Sequence, residues 1–360
     1  MRQSKGPAPR WIWALLAIAA TALLIGLYCR RDGKPLPTPP PGSEPAKAAS
    51  KQASKPLTPV SFRLKWLVYS SFASHFVALE RGYFEEYGVN VTINPGGPGL
   101  DPIKLVATGA DDVGLAGYEQ ILIAREKGIP VVAIGEDYIR AGVAPLALRS
   151  SGIKEPKDFV GKKVGILPGT DKHAIYIALM AKCGVDRSKI EEIPIGSDIK
   201  LLFSGTIDVF PGFITNQPIV AEEAGYPVNV IDPQAYGVRP GGNVYFTSEA
   251  TLARKRSALK GFLRAVLKGI IESQKLPNQE VVDIIMKHND KLNKETELKI
   301  WRATKDMLLE KNPTKVGLLY EEKWKETAQM AVDSELIKTV PKLGECYTND
   351  LVKEILDVGL

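Results

Sequence analysis

Between residues 60 and 232 short apolar runs alternate with amphipathic stretches, and this alternation stops once and starts again. In the first pass, residues 62–69 (FRLKWLVY) predict a strand and 73–88 a helix closed by a glycine. Residues 89–94, 112–116 and 130–138 predict three more strands, separated by helices over 100–109 and 119–128. In the second pass, strands at 163–167, 190–195, 207–213 and 227–232 are separated by helices at 170–184, 198–205 and 217–225. Residues 242–248 look like the chain returning to the first sheet, and helices follow at 252–286, 295–311, 321–333 and 350–357. Strands alternating with helices of this length imply an α/β fold with mostly parallel sheets covered on both faces. The first lobe takes residues 60–148 and 242–360, and the second takes 149–241.

Two α/β lobes joined by crossing segments leave a cleft, and ligands sit beyond the carboxyl ends of such strands. That rule selects the loops after Tyr69, Asn94, Ala116, Leu167, Phe210 and Ile231. One of them is NPGGPG, residues 94–99. A phosphate loop would carry more backbone donors and a Lys-Ser/Thr pair behind it. Pro95 and Pro98 remove two donors, and Leu100-Asp101-Pro102 follows instead. The stretch therefore reads as a lip of the cleft, where Gly97 and its neighbours bring backbone close to a ligand or to the opposite lobe.

Charge separates the chain into two parts. The 360 residues carry a formal +6, but residues 1–59 hold nine Lys/Arg against two Asp/Glu, leaving 38 basic and 39 acidic residues in the remainder. The folded part is close to neutral, which excludes a nucleic-acid surface. Residues 11–28 (WIWALLAIAATALLIGLY) carry no charge and follow Arg2, Lys5 and Arg10. This is the pattern of an uncleaved membrane anchor, with a cleaved signal or lipidation at Cys29 as alternatives. Residues 1–29 are thus a signal or anchor segment. Residues 30–59, with eight prolines among Lys, Ala and Ser, form an extended tether. The folded part is then expected outside the cytoplasm. Cys183 and Cys346 read as two unrelated thiols rather than a bridge.

Motifs for catalysis are missing. Neither a GxSxG elbow nor HExxH occurs. His75, His173 and His288 each lack a second metal ligand at helical spacing, and Asp111-Asp112 marks a turn. No cofactor or metal is called for, and the sequence favours binding over chemistry.

The stretch LKW…ALERGYFEEYGVNVTINPGGPGLDPIKLVATGADDVGLAGYEQILIAREKGIPVVAIG resembles the thiamine-precursor-binding branch of ABC-importer solute-binding proteins. That branch shares its fold with the fungal-type thiamine-pyrimidine synthase. The likeness continues through KKVGILPGTD, TNQPIVAEEAGYPVNVID, YGV and FLRAVLKGIIES to VGLLYEEKWKETAQMAVDSELI, so it covers most of 62–350. It implies a two-lobed type II periplasmic-binding fold, a monomer that hands a small molecule to a membrane permease, and ligand capture by hinge closure. By position, Trp66 matches a tryptophan that stacks on a flat ring. Ser70 and Ser71 match the polar loop entering the first helix, Tyr118 and Glu119 the loop after the third strand. Gly169, Thr170 and Asp171 match the second lobe's helix start, Asn216 an Asn-Glu-Pro-like turn, and Tyr236 a second stacking face. Three departures stand out. Lys65 replaces an acidic residue, Phe72 stands where pyrimidine binders tend to carry histidine, and residues 241–245 (GGNVY) replace the synthase's cysteine-rich run. The resemblance therefore implies binding of a small planar, heteroaromatic molecule. Synthase-type chemistry or a tethered ligand sensor are the alternatives.

Overall fold

Val60, Phe62 and Leu64 recur at period two and are all buried, so the first strand, β1 (Thr58–Arg63), begins ahead of residues 62–69. The structure is a computed structural model and describes residues 56–239, 241–308 and 313–360. The apolar run 11–28, Cys29 and the tether up to residue 55 lie outside the described residues. No helix among the described residues is long and apolar enough to cross a membrane.

Five strands make the first sheet: β1, β2 (Val89–Asn94), β3 (Val113–Gly117), β4 (Val131–Glu136) and, far along the chain, β10 (Asn243–Ser248). Their order is β2-β1-β3-β10-β4. The second sheet comprises β5 (Val143–Leu148), β6 (Lys163–Ile166), β7 (Glu191–Pro194), β8 (Val209–Phe213) and β9 (Val228–Val230) in the order β7-β6-β8-β5-β9. This corrects two expectations. The sheets are mixed rather than mostly parallel, because β10 runs antiparallel to β3 and β4, and β5 runs antiparallel to β8 and β9. The chain also enters the second sheet at Val143, so Val143–Leu148 does not close the first lobe. Both effects have one cause. Each reversed strand arrives from the opposite lobe, and it fills the same place, next to the last, in its new sheet.

Helices cover both faces of each sheet. In the first lobe these are α1 (Ala73–Glu80), α2 (Tyr83–Glu86), α3 (Pro102–Ala107) and α4 (Tyr118–Glu126). Gly82, in the left-handed region at φ 70°, breaks the expected 73–88 helix between α1 and α2. The second lobe has α5 (Asp171–Lys182), α6 (Lys200–Phe203) and α7 (Gln217–Glu223). The C-terminal part returns to the first lobe as α8 (Glu249–Lys275), α9 (Asn278–Met286), α10 (Lys294–Leu308), α11 (Glu321–Asp333), α12 (Leu343–Cys346) and α13 (Asp350–Val358). Pro277 divides the expected 252–286 helix into α8 and α9. One face of the first sheet packs Phe62, Phe262 and Leu263 with α1, α8 and α9, while the other packs Tyr118, Phe246 and Trp324. Cys346 sits in the second of these clusters and Cys183 against the second lobe's core; both are free thiols.

Two crossing segments, 137–142 and 231–242, join the lobes and press on each other. A Cβ on Gly242 would lie 1.8 Å from the Tyr138 carbonyl oxygen, so only glycine lets the second crossing pass the first. A buried network anchors this place: the Tyr245 hydroxyl donates to Asp137 Oδ1 at 2.9 Å and lies 2.8 Å from His75 Nε2.

Candidate functional site

After Arg63 the chain leaves β1 and runs over the top of the sheet as residues 64–69, placing Trp66 and Tyr69 at the lobe boundary. NPGGPG holds this segment in place. Gly96 N–H donates to the Trp66 carbonyl at 2.9 Å, and a Cβ on Gly96 would meet Leu64 O at 2.4 Å. Arg63 ties the loop from below, through Pro95 O at 2.7 Å and Asp111 Oδ2 at 2.8 Å, while Asn94 donates to the other Asp111 oxygen at 2.7 Å. Asp111, read from the sequence as a turn marker, is in fact the brace of this lip.

A cavity of about 190 Å³ lies between the lobes. Trp66, Tyr69, Phe72 and Tyr138 wall it from the first lobe, and Phe213 from the second. Tyr69 and Phe72 meet edge to face at 5.3 Å, a favoured aromatic geometry that stiffens this wall. Gly97, Leu100 and Pro102 form the lip, and Gln120 and Asn243 complete the first-lobe side. From the second lobe come Leu167, Thr170, Asp171, Lys172, Ser197, Asn216 and Gln217. Thr170 bonds Leu167 O at 2.7 Å, so its hydroxyl does not cap α5. A larger recess of about 650 Å³, lined by Lys182, Val238, Arg239 and Met330 among others, contains no aromatic side chain and none of the candidate residues.

Of the residues selected from sequence, Trp66, Phe72, Gly97, Thr170, Asp171 and Asn216 meet in the cleft. The others do not line it. Tyr118 is sealed behind the sheet, its ring 4.4 Å from Trp324 and its hydroxyl donating to Glu136 at 2.7 Å. Ser70 and Ser71 are buried beneath the cleft floor: Ser70 N–H donates to Glu297 Oε2 at 2.7 Å, and the Ser71 hydroxyl faces those of Thr215 and Thr304. Gly169 is exposed ahead of α5, at φ 78°. Tyr236 packs on the second lobe's own core, so it offers no second stacking face here. Tyr138 and Phe213 take that place. Both stand at or just beyond the carboxyl end of a strand, and the strand-end rule applied to the crossing segments would have found them.

Charge in the cleft centres on Lys65. Its ammonium reaches across the lobes to Asp171 Oδ2 at 2.6 Å and donates to Asn243 Oδ1 at 3.1 Å. Burial alone would depress the Lys65 ammonium, but Asp171, Glu119 and Asp137 together hold it above its ordinary value. Burial would likewise raise Asp171; the Lys65 charge and hydrogen bond outweigh it and hold that carboxyl low. Glu119 lies just behind, 1 % exposed, with Oε1 folded over Gly117 and finding no donor among the described residues. Burial and the nearby Asp171 push its carboxyl up to about 7, against the pull of Lys65. Burial lowers Lys172, at the start of α5. A second bridge spans the lobes farther out, where Lys299 and Thr296 of α10 both reach Glu223 of α7 at 2.6 Å.

Among the described residues no cluster of three or more His, Cys, Asp or Glu could hold a metal ion. The arrangement lines the cleft with rings from both lobes, Tyr138 and Phe213 lying tilted 6.1 Å apart, and places polar groups beside them.

The fold is shared with the alkanesulfonate-binding protein of Xanthomonas axonopodis pv. citri bound to MOPS, with a TM-score of 0.65 at 12% identity over 81% of this chain and 99% of that one. In sequence the chain is 28% identical over 278 residues to a formylaminopyrimidine-binding protein of Halalkalibacterium halodurans, covering 75% of this chain and 83% of the relative. It is 26% identical over 298 residues to the 4-amino-5-hydroxymethyl-2-methylpyrimidine phosphate synthase of Legionella pneumophila, covering 81% of this chain and 91% of the relative. The profile described as NMT1/THI5 like matches residues 70–280, which include α1, the crossing segments and the cleft residues from Phe72 to Asn243. With two-lobed architecture and sequence in agreement, the chain belongs to the NMT1/THI5-like family.

Proposed function

We propose that this protein is the solute-binding component of an ABC importer, capturing one small planar, heteroaromatic molecule between its lobes and delivering it to a membrane permease outside the cytoplasm. The observation that carries this reading is the inter-lobe cavity walled by aromatic rings from both sides. Trp66, Tyr69, Phe72 and Tyr138 stand opposite Phe213, and Asn216 and Gln120 lie at the edge beside Asp171 and Asn243, which hold Lys65. Its size, about 190 Å³, is below the roughly 300–1,000 Å³ of pockets for drug-sized ligands, so it suits a single ring. Polar groups at the edge would reject rings that lack the matching atoms.

The formylaminopyrimidine-binding relative supports a pyrimidine-like guest, and Phe72 supports a guest less dependent on a hydrogen bond at that position. Synthase chemistry is the second reading, supported by the Legionella pneumophila relative. The cavity lining contains neither histidine nor cysteine, and this favours capture over reaction.

Thermal-shift measurement of the full chain against substituted pyrimidines, thiamine precursors, aromatic acids and sulfonates tests the proposal. A ligand at a hundred times its Kd adds about 2.7 kcal/mol of stability. Trp66→Ala is expected to abolish the shift. Unchanged affinity in that variant, or recovery of a chemically altered ligand after incubation, would overturn the reading.

A further inference from the structure

The cleft contains one lysine and two carboxylates placed to compete for it, one on each lobe. Lys65 and Glu119 belong to the first lobe and Asp171 to the second. In the structure Lys65 bridges the lobes through Asp171 at 2.6 Å, and this bridged arrangement is here called shut. Glu119, buried and with Oε1 lacking a donor, is close enough to attract the same ammonium. A buried carboxylate oxygen without a donor is destabilising, so its persistence calls for a state in which it is satisfied. Parting the lobes removes Asp171 and leaves Lys65 with Asn243, which is neutral, and with the first lobe's own carboxylates. Asp137 keeps one oxygen on the Tyr245 hydroxyl at 2.9 Å, and its other, Oδ2, lacks a donor as Glu119 Oε1 does. Glu119 pulls on Lys65 more strongly than Asp137 does, which makes it the preferred acceptor.

We propose that Lys65 is a two-position latch for the lobes, bridging to Asp171 when they are shut and held by Glu119 when they are open. A ligand that donates to Asp171 would then release the lysine to Glu119 without leaving either charge unpaired. This last step rests on the binding function proposed above, whereas the latch itself operates without a ligand.

The latch makes closure depend on pH, and the sign follows from the charges. Lys65 and Asp137 face this corner from the first lobe, and Asp171 and Lys172 from α5. Asp171 approaches Glu119 only in the shut form, and with burial it raises the Glu119 carboxyl there from 4.5 to about 7. The shut form therefore binds the proton more tightly. It is favoured at low pH and loses ground as pH rises through 7. If the open form restores the ordinary 4.5, the shut-to-open ratio falls about thirtyfold between roughly pH 5.5 and 8.5.

Spin labels on the full chain, with its three cysteines replaced by serine, read this ratio directly. Thr92→Cys on β2 and Glu191→Cys on β7 are exposed positions on the edge strands farthest from the crossings. Without ligand, the labelled protein is expected to shift from a short to a long distance as pH rises. Glu119→Gln should stay shut throughout, and Asp171→Asn should stay open throughout. A pH-invariant distance in the otherwise unsubstituted protein overturns the latch without recourse to any variant, as does a full pH response in Glu119→Gln. Either result leaves the binding function to be judged by the thermal-shift test alone.

Discussion

Replacing Gly96 with alanine tests how the NPGGPG lip holds Trp66. The added Cβ would lie 2.4 Å from Leu64 O, 2.6 Å from Lys65 C and 2.7 Å from Trp66 N. All three are backbone atoms, so no side-chain rotation relieves the clash, and the 64–66 segment or the lip must move by several tenths of an ångström. Overpacking of this kind costs about 1–3 kcal/mol. The bond from Gly96 N–H to Trp66 O, 2.9 Å, is then stretched or lost, adding about 0.5–1.5 kcal/mol. The expected loss is about 2–4 kcal/mol, a large share of the roughly 5–15 kcal/mol that keeps a protein folded. At a urea dependence of about 3 kcal/mol per molar, the midpoint falls by about 1 M. Gly88→Ala is the control: its φ of 81° disfavours alanine, but nothing lies within 4 Å, so only the backbone cost of roughly 1–2 kcal/mol applies. Urea titrations of both variants decide the matter. A Gly96→Ala midpoint no lower than that of Gly88→Ala would mean that close approach does not hold the lip.

Two further substitutions test the buried polar groups around the cleft. Tyr245→Phe removes the hydroxyl between Asp137 and His75, all three being essentially inaccessible, and is expected to cost about 1–3 kcal/mol; an unchanged melting temperature would show that the hydroxyl does not hold that pair. Glu297→Gln should act in the opposite direction at high pH. Burial holds the Glu297 carboxyl above its usual value despite the bond from Ser70, so the folded state favours the proton and stability is lost as pH rises through that raised value. Glutamine keeps an acceptor for Ser70 N–H and never ionises, so urea midpoints between about pH 5 and 8 should decline less than in the parent. An undiminished decline would place the titrating group elsewhere.

The order of strands and helices was legible because hydrophobic period is local, and so was the return of residues 242–248 to the first sheet. The strand at Val143–Leu148 was not. Its sequence is VAPLAL, and a proline within a run argues against a strand interior to a sheet. Here Pro145 stands directly opposite Pro211, so the missing donors fall on a single rung. Of the five aromatic walls, Trp66 and Phe72 were chosen from sequence, and half of the chosen site residues do line the cleft. Lys65 was noted only as a departure, because its partner lies 106 residues away on the other lobe. Ser70, Ser71 and Glu119 were well placed in sequence but sit one layer too deep, a distinction that depends on packing rather than on spacing.

The reversed strands connect these points to a mechanism. A strand that comes from the other lobe must enter its sheet against the direction of its neighbours, so its first residues lie at the end where the other strands finish. That is the end where ligands bind in such sheets. Asn243, which opens β10, therefore both holds Lys65 and lies next to Gly242, where the crossings touch. Tyr138, in the other crossing, both walls the cavity and donates to Ser71 O at 2.5 Å. Under the binding function proposed above, a guest in contact with these two residues would touch both segments that cross between the lobes. Binding and closure would then share the same atoms, with no need for a path through either lobe's core.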